Sequence, residues 1–222
     1  SGGSGGKSKT KSGGDASPGK PKSGSRGGTD RGRGLTKVKA TSQRRAQSAK
    51  TELGTSTFED YVPSVVVEGA SPHPAPIVES AAMSAVDAPR IDYEVDLMPG
   101  VFEGYVNEDG IYVGISDIQL EAIAMAGAAH EQKLPSGERR GFLIGDGTGV
   151  GKAREALGII MDDFIKRGTG ARRKAVLITK NDGLVKDAVK EWIGVGGDAA
   201  EMQALSNVGS GVAVNYESGV LN

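Results

Sequence analysis

Four glycines at alternate positions, Gly145, Gly147, Gly149 and Gly151, are followed at once by Lys152. No other part of the chain is so well suited to chemistry. Glycine removes the Cβ where a backbone must bend around an anion, so successive N–H groups can point inward. An ammonium at the first turn of a following helix can meet the outer charge of the same anion, and the helix N-terminus adds its own partial positive charge. Curvature, donors and charge therefore converge on phosphate binding by GFLIGDGTGVGKAR, residues 141–154. A glycine-rich turn without a ligand is the plainer alternative. It requires strand, spaced glycines, lysine and amphipathic helix to coincide by chance.

Such a loop needs a strand to lead into it and a helix to leave it. Residues 140–144 read as a short strand, and residues 152–165 as a helix with Ala153, Ala156, Leu157, Ile160 and Phe164 on one face. Residues 174–179, in KAVLITK, have a nearly continuous apolar centre, as expected of a parallel strand covered on both sides. Asp182 can cap the next helix, whose buried side would carry Leu184, Val185, Ala188, Val189, Trp192 and Ile193. Strand, loop, helix, strand and helix make an α/β layout with parallel crossovers. Further on, residues 198–205 suggest a short helix and residues 211–216, GVAVNY, another strand.

Ahead of the loop, residues 90–96, 101–106 and 111–115 are strand-like, and Asn107, Glu108, Asp109 and Gly110 make a hairpin connection between the last two. Ser116 then stands as a helix N-cap with Gln119 in the capping-box position. Ile118, Leu120, Ile123 and Met125 supply the larger apolar side chains of that helix, and alanines extend it toward Ala129. Residues 57–90 contain FEDYVPSVVVEG and SPHPAPIVES, where Pro72, Pro74 and Pro76 disfavour a regular element. The expectation there is a connecting arm, residues 51–90, with one or two short extended pieces.

Charge divides the chain. Residues 1–50 hold 13 Lys or Arg against two Asp and no aromatic residue, whereas residues 51–222 hold 14 basic against 26 acidic residues. The near-neutral formal charge of −1 hides these opposite halves. Residues 1–34, Gly and Ser with interspersed Lys and Arg, lack the apolar surface to offset the entropy of ordering, and read as part of a disordered basic tail over residues 1–50. Residues 36–50 lose the glycines and keep the charge, so a helix formed on a polyanion is expected. Two roles stay open for the tail: intramolecular screening of the acidic body, or a salt-dependent, nonspecific nucleic-acid contact. Without interleaved aromatics, base stacking is not indicated.

Other chemistries are excluded by composition. The chain of 222 residues has no Cys, which removes disulfides, Cys-ligated metal and thiol nucleophiles. His73 and His130 have no metal-ligand spacing, and no metal ligand is assigned. No apolar run of membrane-spanning length occurs, and the polar start lacks a classical signal peptide. A soluble protein is expected, in a cytoplasmic or a phage-associated setting. A first residue of Ser suggests a processed product or a fragment.

The loop departs from the phosphate-loop pattern GxxxxGK[ST] at both ends, with Asp146 at the first position and Ala153 at the last. Asp146 to Lys152 still resembles the DExGxGK arrangement of helicase-type motors. Three stretches carry a closer resemblance: SDIQLEAIAMAG, RRGFLIGDGTGVGKAREALGII and KAVLITKNDGLVKDAVKEW. Together they resemble the N-terminal motor domain of the strawberry notch family of helicase-like NTPases, whose relatives also occur in large phage- and plasmid-encoded proteins.

That resemblance implies a partial RecA-like P-loop NTPase domain over residues 91–222, with ATP and Mg²⁺ as cofactors. It makes Lys152 the catalytic phosphate ligand. Gly145, Asp146, Gly147, Thr148, Gly149, Val150 and Gly151 form the cradle, with Ala153 and Arg154 just beyond. At Ala153 the family has a small residue, so the missing hydroxyl is a family-like departure. Gln119 resembles the glutamine that reads adenine in related motors, although its capping-box place is a sufficient structural reason for it. Arg154 can approach phosphate, or pair with Glu155 or another acidic neighbour. Lys180, Asn181 and Asp182 resemble a loop lying near nucleic acid, and a helix cap explains Asp182 equally well.

Hydrolysis by such motors needs a strand ending in an acidic pair to hold Mg²⁺ and position water. No such strand follows Lys180, since Glu201 and Glu217 have the wrong flanks. The expectation is a nucleotide-binding portion incomplete for hydrolysis, with the acidic pair and a second motor domain beyond Asn222. Nucleic acid and a larger protein assembly are its expected partners. The rival expectation is a noncatalytic structural or nucleic-acid-tethering component of an assembly.

Overall fold

In TKVKATS, charged and small residues alternate so that Val38 and Ala40 turn inward while Lys37, Lys39 and Thr41 face out, and strand β1 (Thr36–Ser42) results. The structure is a computed structural model that describes residues 34–43, 58–84, 89–167, 174–179 and 183–203. β1 corrects the expected helix-forming tail: the alternation of period two within a basic segment sets the local structure, and burial of Val38 and Ala40 rewards it.

The proline-containing arm is also more structured than expected. It holds β2 (Phe58–Asp60), β3 (Val65–Val67), β4 (Val78–Ser80) and one helical turn, α1 (Ala81–Ser84). After it comes β5 (Asp92–Leu97). A three-stranded antiparallel sheet runs in the order β3, β1, β5, with Ala40 opposite both Val67 and Tyr93, and Val38 opposite Val95. β2 and β4 pair separately.

The expected hairpin forms between β6 (Tyr105–Val106) and β7 (Tyr112–Val113). Asn107 closes it, its Oδ1 accepting from the N–H groups of Asp109 at 3.1 Å and Ile111 at 2.8 Å. The first arm is shorter than expected because residues 101–103 turn, burying Val101.

Helix α2 (Asp117–Glu131) follows, then α3 (Lys152–Arg167) and α4 (Gly183–Gly194). Leu120 and Ile123 of α2, Leu157 and Met161 of α3, and Ala188 and Trp192 of α4 share one core with Val38, Val65, Val95 and Leu97 of the sheet. Full burial of side chains such as Leu120, Ile123 and Leu157 contributes about 1.5–3 kcal/mol each. α2 and α3 pack closely at Gly158, where a Cβ would lie 2.4 Å from Ile123 Cδ1. Larger side chains are excluded there.

Buried carboxylates tie these layers together. Glu121 of α2 accepts from Ser64 N–H at 2.7 Å, Ser64 Oγ at 2.7 Å and Val65 N–H at 3.0 Å, and also from the Tyr61 hydroxyl, fastening β3 to the helix. Asp162 of α3 accepts from Tyr93 Oη and Asp96 N–H, both at 2.7 Å, and from Lys166 Nζ at 2.8 Å, fastening β5. Each charge is buried with its donors supplied, which is what makes the burial tolerable.

Several expectations are overturned. Residues 140–144 and 174–179 form no strand, and all pairing among the described strands is antiparallel, so the expected parallel sheet is not formed by the described residues. A strand exists through its neighbours' hydrogen bonds, and neither segment pairs with another described strand. Leu143 at 87%, Val176 at 81% and Ile178 at 89% exposure retain an apolar pattern without the cover.

The buried face of α3 is turned from the one expected: Arg154, Glu155, Leu157, Gly158, Met161 and Asp162 are buried, whereas Ala153 is exposed. Arg154 and Asp162, both partnered inside the fold, lie on the face that is buried instead. On α4, Leu184 is exposed and Ala188 and Trp192 are buried. Of the short helix expected over residues 198–205, the described residues form a single 3₁₀ turn, Ala199–Glu201, capped by Asp198, whose Oδ1 accepts from Ala200 N–H at 3.0 Å, and residues 204–205 lie outside the described residues. Lys180, Asn181, Asp182, the expected strand over residues 211–216 and most of the basic tail lie outside the described residues.

Candidate functional site

α2 and α3 position the phosphate loop between them. Val150 is buried while Gly145, Asp146, Gly147, Thr148 and Gly149 are exposed, so the loop is anchored at its helical end and open over the rest of its length. Gly149 and Gly151 adopt φ values of +98° and +96°, the left-handed region that side chains disfavour. These two glycines make the turn into α3 possible. The amides of residues 145–149 donate to no other described residue.

Lys152, the first residue of α3, folds back over this loop. Its Nζ donates to the carbonyls of Asp146 at 2.9 Å and Gly147 at 2.7 Å. The ammonium, the unpartnered amides and the N-terminus of a 16-residue helix thus lie together at an exposed surface. Such an arrangement has the chemistry to accept an anion with several oxygens.

Gln119 grips the anchored end. Its Oε1 accepts from Ser116 N–H at 3.1 Å, completing that half of the capping box, while its Nε2 donates to the Val150 carbonyl at 2.8 Å. A Cβ on Gly151 would lie 2.5 Å from this Nε2. The two ends of the amide are therefore used in holding helix and loop, which favours the structural account of Gln119 over base reading.

Arg154 leaves the site. Its guanidinium is buried against α4, where Nε pairs with Glu191 and Nη1 donates to the Gly114 carbonyl at 2.7 Å and, more weakly, to those of Tyr112 at 3.3 Å and Gly194 at 3.4 Å. Of the roles open to Arg154, the structure selects pairing with an acidic neighbour, and the phosphate-facing role is corrected. The fan of carbonyls explains the direction, because a guanidinium can satisfy several acceptors at once.

Glu155 is the residue that sequence reasoning missed as part of the site. It is fully buried at 0% exposure, and its carboxylate oxygens meet no donor apart from the carboxyl of Asp146. Burial pushes its carboxyl up to about 8, the nearby Asp146 carboxylate adds to that rise, and Lys152 opposes it. The available signal was its place three residues after Lys152, on the same helical face.

A small cavity of about 70 Å³ adjoins the loop, bordered by Tyr61, Ile118, Phe142, Gly145 and Asp146 among others. Its walls mix aromatic, aliphatic and acidic character. Among the described residues, no group of three or more His, Cys, Asp or Glu is arranged to hold a metal, and no helix is long and apolar enough to cross a membrane.

The glycine loop, the lysine that closes it and the helix it feeds have the layout of a P-loop. The profile of the family described as P-loop containing NTP hydrolase pore-1 matches residues 72–221, and the chain belongs to that family. It is similar to protein strawberry notch of Drosophila melanogaster, 34% identical over 177 residues that cover 77% of this chain and 10% of that protein. Human protein strawberry notch homolog 2 is 37% identical over 171 residues, covering 77% of this chain and 11% of its own length. The protein FORGETTER 1 of Arabidopsis thaliana is 34% identical over 152 residues, covering 68% and 11%. The chain thus spans about a tenth of the length of these curated relatives. No solved structure matches it.

Proposed function

We propose that the chain is the ATP-binding portion of a RecA-like, nucleic-acid-dependent, helicase-like NTPase. One observation carries this reading: the Lys152 ammonium is turned into the loop, on the carbonyls of Asp146 and Gly147, beside amides that have no other work. A polyphosphate would replace those two carbonyls as the partner of Lys152. The loop amides and Lys152 would then stabilise charge on the transferring phosphoryl group. A divalent cation bound with the nucleotide would supply further charge neutralisation.

Calorimetric titration of ATP with Mg²⁺ tests the reading. Lys152→Ala removes a charge-assisted contact worth about 1.5–3 kcal/mol, so affinity should fall roughly 10- to 100-fold. The melting temperature should hold, because Lys152 is exposed. Equal affinity in wild type and variant excludes this pocket.

Hydrolysis is proposed to need groups other than those described, since no acidic pair on an apolar strand follows Lys180. Nucleic acid is proposed as a partner through the basic residues of the first 50 positions, where Lys and Arg outnumber acids 13 to two. A second reading, as a noncatalytic or tethering component of a larger assembly, is favoured by the exposed apolar side chains of Leu143, Val176 and Ile178, which suit a covering partner. ATP binding that depends on Lys152 separates the first reading from the second.

A further inference from the structure

Residues 141–149 run between two anchors. At one end Arg140 donates its N–H to the Gln132 carbonyl at 3.0 Å and its Nη1 to Gln132 Oε1 at 2.7 Å; at the other, Gln119 holds the Val150 carbonyl. Beyond these anchors, the one described residue that bonds the backbone between them is Lys152, through the carbonyls of Asp146 and Gly147. The Asp146 carboxyl, which meets Glu155, is a second hold on the same stretch. A Cβ built on Gly141, Gly145, Gly147 or Gly149 would meet nothing within 4 Å, so nothing is packed against those points. The cavity of about 70 Å³ lies between residues 142–146 and a wall made by Tyr61 with Ile118, Ala122 and Met125 of α2. Leu143 borders that cavity and is nevertheless 87% exposed.

We infer that residues 141–149 are a strap with two positions, held off the cavity by Lys152 and closing on it, with Leu143 inside, when Lys152 lets go. Naming a polyphosphate as what draws Lys152 away rests on the ATP reading above; the strap and its clasp do not. Burial of an aliphatic side chain drives the closing. Ordering of a glycine-rich stretch and the two bonds from Lys152 oppose it, so neither position dominates by a wide margin. The one carboxylate in the cavity wall, Glu121, already has its donors from Tyr61, Ser64 and Val65, and an apolar occupant leaves it satisfied. Gly141 and Gly145 flank Phe142, Leu143 and Ile144, and can absorb the backbone rotation that the swing requires. Occupation of the loop is thereby converted into a change of surface, from a leucine in water to a leucine covered by α2.

The chain has no cysteine, so Leu143→Cys supplies a single thiol whose rate of alkylation by N-ethylmaleimide reads the strap on the full chain. Ser136→Cys, at an exposed turn, is the control. Without any ligand, adding Lys152→Ala should slow alkylation at position 143 roughly tenfold, the factor for a strap about nine-tenths closed, and leave position 136 unchanged. Adding Asp146→Ala as well should slow it at least as much. A rate at position 143 that is unchanged or faster in both backgrounds overturns the strap. So does protection that survives filling the cavity with Ala122→Leu or, should that variant not fold, with Ile118→Phe. With Lys152 present, ATP and Mg²⁺ should produce the same slowing. ATP bound by calorimetry with no slowing also overturns the inference. No ATP bound, together with slowing by Lys152→Ala, leaves the strap standing and fails the ATP reading instead.

Discussion

The two sides of α3 treat buried charge in opposite ways. Toward the sheet, Asp162 is met by Tyr93, Asp96 and Lys166, and the neighbouring helix α2 presents Glu121 to Ser64, Val65 and Tyr61. Toward the loop, Glu155 is equally buried and is met only by the carboxyl of Asp146, and the five residues from Gly145 to Gly149 are exposed. Saturated polar groups hold elements in place. The contrast teaches that α2 and α3 are fastened to the sheet by carboxylates with several donors each, whereas the loop side of α3 sets one carboxyl against another.

The strongest way to break this division is to strip the framework of a charge that the loop does not use. Arg154→Ala leaves Glu191 and the carbonyl of Gly114 without their guanidinium, and loss of a buried partner of this kind costs about 3–5 kcal/mol. Urea denaturation should show that loss, and an unchanged midpoint would mean that the α3–α4 clamp is not structural. A smaller effect is expected at Glu121→Gln, which keeps the shape and replaces a charged acceptor by a neutral one opposite Ser64 and Val65. About 1–3 kcal/mol of stability should go, read from the same denaturation curves.

The smallest effect sharpens the comparison from the loop side. Glu155 has a folded-state value pushed up to about 8, chiefly by burial, against an ordinary 4.5 in the unfolded chain. Between those values the native state holds a proton that the unfolded state has released, so this group makes stability fall as pH rises. Below the unfolded value the contribution is flat. From pH 6 to 7 in EDTA, wild type should lose up to about 1.4 kcal/mol relative to Glu155→Gln. A stability difference between the two proteins that stays constant over that interval would show that Glu155 does not titrate there.

What was legible in the sequence was local. Alternate glycines followed by Lys152 specify a turn and a helix start within eight residues, and Ser116 with Gln119 specifies a cap within four; both stand in the structure. The hairpin at Asn107 to Gly110 belongs to the same class. Less legible were the destinations of side chains whose partners lie far away along the chain. Arg154 finds Glu191, 37 positions on, and Gln119 reaches Val150, 31 positions on. Residues 140–144 and 174–179 have the apolar content of strands, but strand formation depends on a neighbour that composition cannot supply. β1 was obscured differently: the alternation in TKVKATS spans only seven residues inside a basic segment whose composition is that of an unfolded tail.

The central place of β1 has a mechanical consequence. Its register pairs it with β5 from Thr36 to Thr41 on one side and with β3 from Ala40 to Ser42 on the other. A force applied at the start of β1 would load these pairings in shear. Part of the tension would cross to β5, and from there through Asp162 to α3, the helix whose first residue is Lys152. The start of β1 and the helix that begins at Lys152 are thereby joined by a load path of hydrogen bonds.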